Sequence, residues 1–206
     1  MERRKALIIV DVQNDFCPGG ALPVPEGDKV IPIINQIVGK FDKVIATQDW
    51  HPGNHVSFAT THNRKPYEVV RIDNEIEQVL WPTHCVQGSY GAEFHKGLSL
   101  WKVNLILRKG TNVNLDSYSA FFENDKRTET GLHYYLRGLG VEEVYLCGLA
   151  TDYCVYYSAV DSINLGFKTY VVIDGCRGVN VPPGNLDRVL KDMMDRGIKI
   201  IESREL

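Results

Sequence analysis

Short apolar runs rich in β-branched residues recur along this chain, and the segments between them carry apolar residues at helical spacing. Runs at 6–10, 43–46, 102–107, 143–147, 169–173 and 198–201 read as buried strands, because their apolar character is largely continuous rather than alternating. Segment 28–41 sets Val30, Ile33, Ile34, Ile37 and Phe41 on one helical face. Segments 130–138, 152–166 and 183–196 predict three further helices, two of them closing on glycine. Pro32 sits early enough in the first helix to be tolerated. Strands alternating with helices imply parallel strands joined by right-handed crossovers, hence a doubly wound α/β sheet with helices on both faces. No Pro/Gly/Ser-rich linker, internal repeat or low-complexity tract divides the 206 residues, so one domain spanning 1–206 is expected.

One connection breaks this rhythm. About 55 residues, from Thr47 to Trp101, separate the second and third runs and hold five of the six histidines. Apart from a helical pattern at 73–81 the stretch has little periodicity. Long excursions of this kind inside compact domains are usually functional, so a lid and ligand-binding walls are expected here.

Composition narrows the partners. A formal charge of −3 and a pI near 6.1 argue against nucleic acid or an anionic membrane and leave small molecules. The five cysteines are odd in number and form no C-x-x-C pair, which fits a reducing compartment. The basic start MERRK precedes only five apolar residues before Asp11, too short for a signal-peptide core, and no stretch approaches the ~20 apolar residues of a membrane span. A cytoplasmic protein is expected, with homo-oligomerisation open.

Open parallel sheets bind ligands beyond the carboxyl ends of their strands. Asp11 follows the first run, Asp49 and His51 the second and Lys109 the third, while the fourth leads through GLATDYC into a helix carrying Cys154 near its start. With Thr151 or Asp152 as cap, Cys154 falls in the first helical turn, where unpaired N–H groups and the positive dipole end favour a thiolate and can receive an oxyanion. Asp11, met directly after an apolar run, is expected to hold its proton tightly unless a cation compensates, and Lys109 is the available cation. Together the three supply a nucleophile, a base and a charge that tunes both. Taken singly each has a plainer reading: a buried helical cysteine, a turn aspartate in DVQND, a solvated lysine. Cys147 is placed inside a strand and Cys17, Cys85 and Cys176 in loops, all four without chemistry.

Asp49 and His51 are two apart in an extended segment, share a face and can converge on one ion. His84 in WPTHC is the best-placed third ligand, and His55 a fourth ligand or an outer partner. His62 and His95 read as ordinary loop residues. Nitrogen and oxygen donors without thiolate suit zinc, iron or manganese. The Gly-rich CPGGALP lacks the Lys-Ser/Thr of a phosphate loop and is a turn. Phe16, Trp81 and Tyr118 lie in loops near the same edge, as packing residues or as stacking partners for a flat ring.

These residues lie in ALIIVDVQNDFCPGGALPV, VIATQDWHPGNHVSF, WPTHCVQGSYGAEFH, LRKGT and YLCGLATDYCV. With them the chain resembles, over essentially its whole length, the nicotinamidases (pyrazinamidases) of the isochorismatase-like cysteine hydrolase family, and WP-x-HCV-x-G with D-W-H resembles the metal-dependent branch. The resemblance implies a six-stranded parallel sheet in a three-layer α/β/α arrangement. It implies hydrolysis of nicotinamide to nicotinate and ammonia through a cysteine thioester, in NAD salvage. It implies a triad of Asp11, Lys109 and Cys154, and one divalent metal ion, zinc or else iron or manganese, on Asp49, His51 and His84. His55 matches a residue that ligates metal in some relatives only. Also implied are an oxyanion hole of backbone N–H groups at Ala150 and Cys154, a cis peptide between Leu149 and Ala150, and Phe16, Trp81 and Tyr118 around the ring. The chain departs from the commoner pattern at 60–80 and in TNVNLDSYSAFF, the region of lid and outer pocket. Two rivals share part of this signature: another small-amide or carbamoyl hydrolase, which would not need the metal, and a catalytically silent metal-binding protein on the same fold.

Overall fold

A computed structural model describes residues 4–72 and 76–206. Its strands are β1 (Arg4–Val10), β2 (Lys43–Asp49), β3 (Val69–Ile72), β4 (Ile76–Val79), β5 (Leu105–Lys109), β6 (Val141–Leu149), β7 (Lys168–Arg177) and β8 (Lys199–Ile201). Its α-helices are α1 (Val30–Ile37), α2 (Leu132–Gly138), α3 (Tyr156–Asn164) and α4 (Asn185–Asp195). Six strands form a parallel sheet in the order β5-β2-β1-β6-β7-β8, flanked by helices in the expected three-layer arrangement. Residues 6–10 of the central strand are wholly buried, as a parallel sheet covered on both faces requires. No helix among the described residues is long and apolar enough to cross a membrane.

Four local expectations are corrected. The helical pattern at 73–81 lies partly outside the described residues, and Ile76–Val79 within it is a strand paired antiparallel with Val69–Ile72; Gln78 is buried while Glu77 is exposed, a two-residue period. The run at 102–107 pairs with β2 only from Leu105, because Asn104 already binds Val44 through both its backbone N–H and its side-chain oxygen, and pairing continues to the charged Lys109. The helix expected from 152 begins with a π-turn over Thr151–Val155, capped by neither Thr151 nor Asp152. The Asp152 carboxylate instead accepts the backbone N–H groups of Val179 and Asn180, each at 2.9 Å. Cys176 lies within β7 rather than in a loop, since a register shift between Leu146 and Gly148 prolongs the pairing of β6 with β7 to Arg177.

From β1 the chain works outward through β2 to β5, and from β6 in the opposite direction through β7 to β8. The neighbours β1 and β6 therefore flank a topological switch point, where connections leave a crevice at the strand ends. Gly148 makes their approach possible: its φ is +115°, and a Cβ there would lie 2.1 Å from the carbonyl oxygen of Val10. The Leu149–Ala150 peptide that follows is cis, as expected.

Candidate active site

The crevice gathers the three reactive side chains. Lys109 leaves the end of β5 and places Nζ 2.9 Å from Asp11 Oδ2 and 3.4 Å from Cys154 Sγ. Asp11 is fully buried. Its Oδ1 accepts the Thr47 hydroxyl at 2.6 Å, whereas Oδ2 meets Lys109 only as an ion pair and has no aligned hydrogen-bond donor. Burial raises the Asp11 pKa to about 6, against the pull of Lys109 and with help from Asp49. That agrees with the expectation for a carboxyl group on an apolar strand end. Burial alone would discharge Lys109, but Asp11 and Asp49 hold its ammonium well above the ordinary range. Burial pushes the Cys154 thiol well up, and Lys109 opposes it. The expected thiolate preference is therefore corrected: burial favours the thiol in the free site, and Lys109 is the group that opposes it.

Lys109 also bonds Asp49 Oδ1, its register partner on β2, which ties the triad to the second cluster. Donor atoms of Asp49, His51 and His84 lie within 4.8 Å of one another, all three residues buried. His51 Nδ1 is 2.8 Å from the Gly110 carbonyl and His84 Nδ1 is 2.7 Å from that of Pro82. A carbonyl only accepts, so both Nδ1 atoms carry a proton and each Nε2 is left to face the site; burial lowers the His51 pKa, but Asp49 outweighs burial and raises it. Those Nε2 atoms point at one oxygen, Asp49 Oδ2, from 3.5 Å and 3.9 Å. Burial and His51 lower His84 to about 4, so it stays neutral and brings no proton to that contact. Donor atoms on a tetrahedral zinc ion stand about 3.3 Å apart, close to these separations, and backbone-anchored imidazoles are the usual partners of such an ion. The donor set fits a divalent cation.

His55 stands beside this set without a free nitrogen. Its Nδ1 accepts the Ser57 backbone N–H at 3.3 Å, and its Nε2 faces the Leu115 carbonyl at 3.3 Å and donates to it. Its ring stacks on His51, centroids 4.2 Å apart, and supports that imidazole. His62 and His95 lie apart from the cleft, as expected.

Phe16, Trp81, Tyr118, Ala150 and Cys154 all face one cleft, which Asp49, His51 and His84 also line. Tyr153 and Asp116 join the wall as well. The sequence offered no sign of either, nor of Phe58, whose ring meets the edges or faces of His51, His55 and His84. Gln13 was also unmarked: its amide holds Asp49 by both backbone groups, at 2.8 Å each. The strand-end polar residue in DVQND was the available signal for it.

Residues 5–205 match the isochorismatase domain model. The nicotinamidase of Acinetobacter baylyi is 46% identical over 98% of this chain and 94% of its own length. The solved nicotinamidase/pyrazinamidase of Acinetobacter baumanii superposes with a TM-score of 0.96 at 46% identity, covering 100% of this chain and 99% of that one. The pyrazinamidase of Pyrococcus horikoshii, solved with zinc, is 41% identical with a TM-score of 0.78 over 97% of this chain and 99% of its own. A crevice at the switch point of a six-stranded parallel sheet agrees with these likenesses, and the chain belongs to the isochorismatase family, among its nicotinamidase/pyrazinamidase members.

Proposed function

We propose that this amidohydrolase is a metal-dependent nicotinamidase, converting nicotinamide to nicotinate and ammonia through a thioester on Cys154. The observation that carries the reading is Lys109, one buried cation bonded to the carboxylate beside the thiol and to the carboxylate of the donor set. When bound on Asp49, His51 and His84, a divalent ion supplies a Lewis-acidic anchor for a pyridine nitrogen. Phe16, Trp81 and Tyr118 enclose the ring and leave its carboxamide toward Cys154.

Asp11 takes the thiol proton on Oδ2, the oxygen without a donor of its own, and Lys109 stabilises the thiolate. The sulfur attacks the amide carbon, and backbone N–H groups at Ala150 and Cys154 receive the oxyanion. Asp11 returns its proton to the departing nitrogen, then accepts one from the water that cleaves the thioester and releases nicotinate. A pKa of about 6 suits a group that must act in turn as base and acid near neutrality. The reading is supported by the identity to nicotinamidases and by the zinc-containing relative.

The test is ammonia release from nicotinamide by the purified protein, before and after chelation and metal replacement. Turnover should vanish with chelation and return with the ion. Undiminished turnover after complete chelation, or faster hydrolysis of an acyclic amide, would set the reading aside.

A further inference from the structure

The antiparallel pair β3 and β4 is exposed or half-buried along most of its length. Gln78 is its one fully buried member among the described residues. A two-stranded ribbon is marginal by itself in water, so what fixes it matters. The Gln78 side-chain nitrogen faces three acceptors: Asp116 Oδ2 at 2.9 Å, the Tyr118 hydroxyl at 3.3 Å and the Val79 carbonyl at 2.8 Å. Trp81, two residues beyond the hairpin, donates its indole N–H to the same Tyr118 hydroxyl at 3.1 Å. Asp116 and Tyr118 both line the cleft.

The Gln78 amide oxygen is buried with no partner. An unpaired buried acceptor costs stability, so this amide is a poor choice for packing alone; its nitrogen is what the site uses. Asp116 has an alternative to Gln78. One of its oxygens lies within 4.8 Å of nitrogens of His51 and His55, so a carboxylate released by Gln78 would turn toward the imidazoles and leave the wall. We infer that Gln78 is a positioning residue whose amide holds the Asp116 carboxylate and the Tyr118 hydroxyl as the outer wall of the ring pocket, and thereby sets how tightly ring ligands bind. The inference rests on the nicotinamidase reading for the identity of the ring. Gln78 touches neither Cys154 nor Lys109, so it acts on binding rather than on bond cleavage.

The experiment compares wild type with Gln78→Ala and Gln78→Glu by nicotinamide kinetics, nicotinate calorimetry and metal content. Gln78→Ala should weaken nicotinate binding and raise KM about 10-fold, with kcat within about 3-fold and metal content unchanged, as expected for loss of a buried donor. Gln78→Glu keeps the length and shape of the side chain but sets a carboxyl oxygen where the amide nitrogen met Asp116 Oδ2 at 2.9 Å, so the donor is lost without opening a cavity. It should raise KM and weaken nicotinate binding about 10-fold, as Gln78→Ala does, again with metal content unchanged. Calorimetry within 2-fold of wild type for Gln78→Ala, an unchanged KM in Gln78→Glu, or a fall in kcat parallel to metal loss would each overturn the positioning role. Absence of ammonia release by the wild type would instead refute the activity, because nicotinate calorimetry reads the wall without turnover.

Discussion

Replacing Lys109 by methionine removes the one cation that the thiol, Asp11 and Asp49 share while keeping the volume of the side chain. At the 3.4 Å separation of Nζ from Sγ, a unit charge attracts a thiolate by about 5 kcal/mol with an effective dielectric of about 20. That corresponds to between a thousandfold and ten-thousandfold in thiolate population, and since the two carboxylates already draw on the same charge, the lower end is expected. The loss in kcat/KM for nicotinamide should therefore be about a thousandfold, read by coupled detection of ammonia. A second signature comes from Asp11. Lys109 opposes the burial that raises Asp11 to about 6, so the acid limb of kcat/KM should move upward in the variant. Asp11, buried and left without its cation, should also cost about 3–5 kcal/mol of stability at neutral pH. Because the folded form then binds a proton more tightly than the unfolded chain, the melting temperature should rise as pH falls through that limb. A folded Lys109→Met protein that loses less than 10-fold in kcat/KM, with its acid limb in place, would refute the reasoning.

Three further outcomes follow from the same geometry. In the wild type kcat/KM should fall about tenfold per pH unit below about 6, as Asp11 is protonated and can no longer take the thiol proton; a profile flat to about pH 4.5 would contradict this. Gly110 has a φ of +62°, and a Cβ there would lie 2.4 Å from His51 Cε1, so Gly110→Ala should displace the imidazole and weaken metal binding about 10–100-fold in a competition titration. His84→Ala should lose the ion on dialysis whereas His55→Ala keeps it, since both His55 nitrogens are bonded to protein; elemental analysis that shows the reverse would reassign the ligands.

The strands and helices were legible because parallel strands buried on both faces need continuous apolar runs, and 6–10 and 144–147 are such runs. Lys109 was found by its place after a strand, although it proves to be the last strand residue, held there by pairing with Asp49. The helical pattern at 73–81 misled because Ile76 and Leu80 stand four apart, a spacing that a hairpin strand running into Leu80 also presents. Gln13, Gln78 and Asp116 left no periodic trace, since the contacts that place them in the site, Gln13 with Asp49 and Gln78 with Asp116, span 36 and 38 positions. The π-turn and the anchoring of Asp152 by Val179 and Asn180 were likewise hidden, because Thr and Asp before a helix ordinarily mean a cap.

The covalent step can be observed directly by mixing the metal-loaded protein with excess nicotinamide, quenching in acid within the first turnovers and measuring the mass of the intact chain and its peptides. A nicotinoyl group should be found on the peptide containing Cys154, and Cys154→Ala should carry none while still binding nicotinate. Ammonia release by Cys154→Ala at an appreciable rate, or acylation at another residue, would contradict nucleophilic attack by this sulfur.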